Sequence, residues 1–204
     1  KNWMELIKPS KMDVNVEQND GKSGTLIAEP LERGFGLTLG NAIRRVLLSS
    51  LQGAAITSVK IKGVVHEFST IPGVKEDLTD ILLNLKSIAV KVHSPGLKKM
   101  YIKATGPGEI RAGNFETDSE TEIMNRDQLI MTLDSNADIE IEANIETGKG
   151  YVSAEVADDE NKIIGEIKLD AMFSPVVKAS YKIENSRVGQ VTDYDKLILQ
   201  VETN

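Results

Sequence analysis

The sequence predicts an α+β fold. Three observations carry that prediction: two segments repeat apolar residues every 3.6 positions, most of the remainder alternates with period two, and turn signals separate the alternating runs. The first helical segment begins near Thr38, whose hydroxyl suits an N-cap. Leu39, Ala42, Ile43, Val46, Leu47 and Ser50 fall on one side of its wheel. In the second segment the stripe is Leu78, Ile81, Leu82, Leu85, Ile88 and Ala89. Glu76 and Asp77 stand near its start, where acidic side chains suit the helix dipole, and Lys86 flanks the stripe toward its C-terminal end.

The strands follow from alternation. Val59, Ile61 and Gly63-Val64, after Ser58, predict one strand. Ile139, Ile141, Ala143 and Ile145 alternate with Glu140, Glu142, Asn144 and Glu146, which predicts a strand with one buried and one solvated face. Gly106-Pro107-Gly108, Thr147-Gly148-Lys149-Gly150 and Ser174-Pro175 predict turns or breaks. Leu197, Leu199 and Val201 predict a final strand. No internal repeat and no long low-complexity linker interrupts this pattern.

Composition narrows the function classes. A chain of 204 residues, 40% hydrophobic, buries a substantial core in one or two domains. No apolar run approaches the roughly 18 residues of a membrane span, and Lys1-Asn2-Trp3-Met4-Glu5 lacks a signal-peptide layout, so a cytoplasmic location is expected. Position 1 is not Met, which leaves two readings open, a numbering that starts inside a longer chain and N-terminal processing. Cysteine is absent, which removes disulfides, thiolate metal sites and cysteine nucleophiles. Thirty-one acidic residues against 24 basic ones give a net charge of -7, the wrong sign for gripping phosphates over the whole surface.

The motifs that invite chemistry fail on spacing. Gly34, Gly36 and Gly40 resemble a dinucleotide loop, but that fingerprint needs its third glycine at the position of Leu39. The preceding Glu29-Pro30-Leu31-Glu32-Arg33 is also too polar and proline-broken for a buried Rossmann strand. A glycine-shaped entrance to the first helix is the better reading. Gly21-Lys22-Ser23 ends like a phosphate loop, yet the upstream glycine would have to stand at Val16. His66 and His93 lie far apart, with no zinc-protease spacing, so no metal is expected. Asp118, Glu120, Asp158 and Asp159 read as a solvated acidic face. No serine occupies a nucleophile elbow, and no cofactor is expected.

The first helix carries the informative irregularity. Leu48 projects about 180° from Leu39, with Asn41, Arg44 and Arg45 on its side, and should be exposed in the isolated domain. Helix geometry leaves two readings open, a protein interface and a second packed face within the chain.

A family resemblance enters at Glu29-Pro30-Leu31-Glu32-Arg33-Gly34-Phe35-Gly36 followed by Thr38-Leu39-Gly40-Asn41-Ala42-Ile43-Arg44-Arg45-Val46-Leu47-Leu48-Ser49-Ser50. This segment resembles the signature of the bacterial RNA polymerase α subunit. Gly63-Val64-Val65-His66-Glu67-Phe68-Ser69-Thr70, Glu76-Asp77 leading into Leu82-Leu83-Asn84-Leu85-Lys86, and Gly148-Lys149-Gly150-Tyr151 continue the match. It closes with Asp170-Ala171-Met172-Phe173-Ser174-Pro175-Val176, Arg187-Val188-Gly189-Gln190 and Asp195-Lys196-Leu197. Residues 109–128 and 153–162 depart from the commoner pattern.

The resemblance implies a discontinuous dimerisation subdomain, residues 1–52 and 176–204, carrying a mainly β insert, residues 53–175. It implies homodimerisation through the first helix, with Leu39, Ile43, Val46, Leu47 and Ser50, and recruitment of the β and β′ subunits without catalytic residues. Arg45 and Leu48 would face β; Lys86, Leu169 and Lys196 would lie on the side used for β′. The chain ends before the family's further dimerisation helix and lacks its linker and DNA-binding C-terminal domain, so promoter and activator binding are not expected of these residues. Two rival classes stand beside this one: an enzyme whose site forms only on folding, and a nucleic-acid-binding module.

Overall fold

In the computed structural model the described residues are 6–17, 21–154 and 163–204. Asp158, Asp159 and the opening five residues lie outside them. The elements run β1 (Lys11–Val16), β2 (Ser23–Leu31), α1 (Phe35–Ser49), β3 (Gln52–Ile61), α2 (Leu78–Lys86), β4 (Val90–Val92), β5 (Lys98–Thr105), β6 (Gly108–Arg111) and β7 (Glu116–Thr117). They continue with β8 (Thr121–Ile123), β9 (Leu129–Leu133), β10 (Asp138–Lys149), β11 (Tyr151–Val152), β12 (Glu166–Lys168), β13 (Ala171–Met172), β14 (Val176–Val188) and β15 (Val191–Thr203). Among the described residues every strand pairing is antiparallel and two α-helices accompany the sheets, which is compatible with the predicted α+β class.

The chain divides into two compact units, Lys1–Leu51 with Ser174–Asn204, and Gln52–Phe173. In the first, a four-stranded sheet in the order β1-β2-β15-β14 carries α1 across β14 and β15. Ala28, Leu31 and Leu197 form a buried cluster with Tyr181 packed against it, and Val176, Ala179, Ile198 and Leu199 are buried as well.

The second unit is built on a larger sheet whose strands follow the order β7-β5-β10-β3-β4-β8, with β12 also paired to β3. Ile139, Ile141, Ala143 and Ile145 are buried along β10, as their alternation predicts. They join Val59 and Ile61 of β3, Met100 and Ile102 of β5, and Ile81 and Leu85 of α2 in one continuous core.

Several local predictions need correction. Helix α1 starts at Phe35, not near Thr38. Gly34 takes the left-handed conformation (φ 87°) that turns the chain into the helix, and Thr38 instead donates its hydroxyl to the Gly34 carbonyl. Ser50 lies past the helix as its C-cap, its N–H donating to the Val46 carbonyl. Helix α2 ends at Lys86, so Ile88 and Ala89 are buried beyond it. Glu76 serves less as a dipole partner than as a tie, accepting from the Thr132 N–H (2.7 Å) and hydroxyl (2.9 Å). Gly63-Val64 form a turn after β3, and β10 runs through Lys149, so the predicted turn shrinks to Gly150. Gly148 sits inside that strand because a Cβ there would stand 2.7 Å from the Phe173 ring.

Candidate subunit-docking site

Helix α1 lies on its sheet through glycine. A Cβ at Gly40 would come within 2.6 Å of the Tyr181 ring and 3.0 Å of Leu197, so only hydrogen allows this approach. Gly36, Gly40, Ile43 and Leu47 share one face at 100° per residue, and all four are buried or half-buried. The predicted stripe therefore splits. Ile43 and Leu47 belong to the sheet-facing side, whereas Leu39 and Val46 turn away on one flank with Phe35 and Ala42. Phe35, Leu39 and Val46 are 42%, 38% and 52% exposed.

The opposite flank carries Arg44 and Leu48. Arg44 Nε donates to the Ala179 carbonyl on β14 at 3.1 Å, which ties this arginine to its own chain. Leu48 is half-buried, a correction to the expected full exposure, because it borders the sheet-facing side at the last turn of the helix. Arg45, directly opposite the glycine face, is exposed, and its guanidinium makes no hydrogen bond or ion pair among the described residues.

The apolar flank of α1 has a counterpart on the sheet. Met12, Val14 and Val16 of β1 pair with Ala28, Leu26 and Gly24, and Ala28 and Leu26 pair in turn with Leu197 and Leu199. Antiparallel partners share a face, so this β1 stripe lies on the side that α1 covers over β14 and β15. Over β1 that side is open: Met12, Val14 and Val16 are 65%, 68% and 56% exposed.

The other expected contacts lie elsewhere. Lys86, in the last turn of α2, sits 3.6 Å from the Asp170 carboxylate. The Ala154 N–H donating to Asp170, and then the Lys86 charge, hold its carboxyl below the usual carboxylate range. Leu169, next to it, is 8% exposed and belongs to the core of the second unit, its N–H bonded to the Thr57 carbonyl. Its side chain is thus not presented at the surface, and the accessible groups beside it are Lys86 and Asp170. Lys196 belongs to the first unit, where its ammonium lies 3.9 Å from Glu184 on β14. The Lys182 ammonium, at 2.8 Å, is the first cause of the low pKa of Glu184.

Residues weighed for chemistry have structural partners. Asp118 and Glu120 enclose the Lys98 ammonium, at 3.7 and 2.5 Å, instead of standing as a free acidic face. His66 Nδ1 accepts from the Phe68 N–H, and His93 lies 3.8 Å from Glu122. Among the described residues no group of three His, Cys, Asp or Glu converges as a metal site, and no helix is long and apolar enough to cross a membrane.

The family model for the RNA polymerase Rpb3/RpoA insert domain matches residues 59–174, more than half of the chain. The chain belongs to this family. It is therefore a domain of an RNA polymerase α-type subunit, part of the DNA-directed RNA polymerase complex and of transcription, and its family assembles with other polymerase subunits. The Rpb3/RpoA match starts within β3 and ends one residue past Phe173, the last residue of the second compact unit. Sequence reasoning missed Asp195, Asp170 and Tyr181 as organising side chains. Each acts on residues distant along the chain, so no local period marks it.

Proposed function

We propose that this chain is the assembly domain of a bacterial-type RNA polymerase α subunit. It is a non-catalytic platform that pairs with a second copy of itself and offers separate docking surfaces to β and β′. The observation that carries this reading is the uncovered apolar surface of the first unit, Phe35, Leu39 and Val46 on α1 with Met12, Val14 and Val16 on β1. Exposed apolar surface of this extent is characteristic of an interaction site, and burying each such side chain is worth about 1.5–3 kcal/mol.

The dimerisation subdomain is assigned to residues 1–52 and 176–204 and the insert to 53–175, boundaries that fall close to those of the two compact units. Arg45, exposed and unpaired, is the principal contact for β, with Leu48 beside it. Lys86 and Lys196 are assigned to β′; Leu169 contributes by fixing the backbone next to Asp170. Lys98, Lys99, Arg111 and Lys182 each meet a carboxylate.

Capture of the β subunit by the purified chain tests the assignment, with Arg45→Ala and Leu48→Ala variants verified as folded by circular dichroism. The original chain is expected to retain β, and Arg45→Ala to lose more than about 1 kcal/mol of affinity, the loss typical of a hot spot. Equal capture by all three chains would reject Arg45 and Leu48 as the docking contact.

A further inference from the structure

We infer that Asp195 is the positioning residue of the docking helix, an inference that rests on the role proposed for α1. One oxygen of its carboxylate, Oδ2, accepts from the Gly34 N–H at 2.9 Å and the Gly36 N–H at 3.0 Å. These amides open α1, where no preceding turn supplies acceptors and the dipole favours negative charge. The helix has no side-chain cap of its own, because its N-cap is Gly34. The cap is therefore supplied by β15, some 160 positions away in the chain.

Strand register aims this carboxylate. Asp195 pairs with Leu31, the last residue of β2, while Leu197 pairs with Ala28. Two residues of β2, Glu29 and Pro30, consequently face the single residue Lys196. Pro30 has no N–H to give the ladder, and a bulge of this kind bends the strand and redirects neighbouring side chains. It sits next to Leu31, the last residue of β2, and only three residues separate β2 from α1. Gly36 completes the fit, since a Cβ there would stand 2.9 Å from Asp195 Oδ2 and displace it.

Consecutive residues of a strand point to opposite faces. Asp195 thus holds α1 on one side of the sheet while Lys196 points to the other, toward Glu184. Losing the cap should disturb the docking surface on α1 and leave the one at Lys196 intact. General damage to β15 would impair both.

The test uses the 204-residue chain with Asp195→Ala, Asp195→Asn and Gly36→Ala variants, read by amide hydrogen exchange and by separate capture of β and β′. Asp195→Ala and Gly36→Ala are expected to speed exchange in the first turn of α1 and weaken β capture about tenfold, the middle of the range for a lost helix cap. Capture of β′ should stay unchanged. Asp195→Asn should behave like the original chain, because both bonds end on one oxygen that an amide oxygen replaces. Unchanged exchange in Asp195→Ala, or equal loss of both captures, would overturn the inference. If the original chain captures neither subunit, the docking role of α1 fails, and the exchange rates still decide whether Asp195 fixes the helix.

Discussion

The two compact units differ in how much of their apolar surface they gather into one core. In the second, β3, β5, β10 and α2 close a single core in which Ile81, Leu85, Met100, Ile141 and Ile145 have no exposed surface beyond 2%. In the first, the continuous cluster is Ala28, Leu31 and Leu197 with Tyr181 against it, Val176, Ala179, Ile198 and Leu199 are buried besides, and apolar residues of β1 and α1 stay exposed. Both contain long antiparallel strands and a helix, so element content does not explain the difference. The second unit packs Leu78, Ile81, Leu82 and Leu85 of α2 into its core, whereas α1 lies over β14 and β15 and leaves the β1 stripe uncovered. The second unit closes a large continuous core on itself, whereas the first leaves the α1 flank and the β1 stripe open, the surface that the proposed pairing would use.

Three substitutions sharpen or break that comparison, taken from the largest expected effect. Ile141→Ala opens a cavity at the centre of the second unit's core and is expected to cost about 2–5 kcal/mol, measured by the urea midpoint. A cost near zero would mean that this core is not the closed one described.

Val46→Ser in the first unit should do the reverse. Its side chain is already half exposed, so stability is expected to stay within about 0.5 kcal/mol. Self-association, followed by sedimentation equilibrium, is expected to weaken about tenfold if the residue sits in a well-packed interface. Undiminished self-association would remove this flank from the proposed contact.

The smallest effect is a pH dependence confined to the second unit. Burial alone would raise the pKa of Glu76, but the N–H and hydroxyl of Thr132 outweigh it and hold the carboxyl below its ordinary value. A depressed carboxylate contributes stability that is present above its unfolded pKa, about 4.3, and is lost as pH falls through the lower folded value. Denaturation between pH 7 and pH 3 should therefore show a shallower acid loss in Glu76→Gln than in the original chain. Identical slopes would assign the acid sensitivity to other carboxylates.

How much of this was legible in the sequence depends on the distance over which each residue acts. The stripe Leu78, Ile81, Leu82 and Leu85 and the alternation through β10 were readable because helix and strand periods repeat within a few residues. The boundary errors arose where distant groups intervene. Thr38 resembles an N-cap locally, yet the acceptor that starts α1 three residues earlier is Asp195. Glu76 looked like a dipole partner until the fold brought Thr132 beside it. Leu169 looked like a surface contact, and its burial depends on strands that no local pattern joins to it.

The candidate site divides along the same line. The ordered motifs around Gly34, Arg45 and Leu48 sufficed to identify the family resemblance, and the helical wheel placed Arg45 away from the packed face. The sequence by itself determined the α+β class, the existence of both helices and the burial of β10, because these rest on short-range periodicity. Tertiary structure alone decided which α1 residues meet the sheet, that Arg44 is tied to β14, and that β1 leaves its apolar side open. Those outcomes depend on which surfaces meet, and a backbone contact such as Gly40 against Tyr181 is set by the spacing of two elements, not by either one alone.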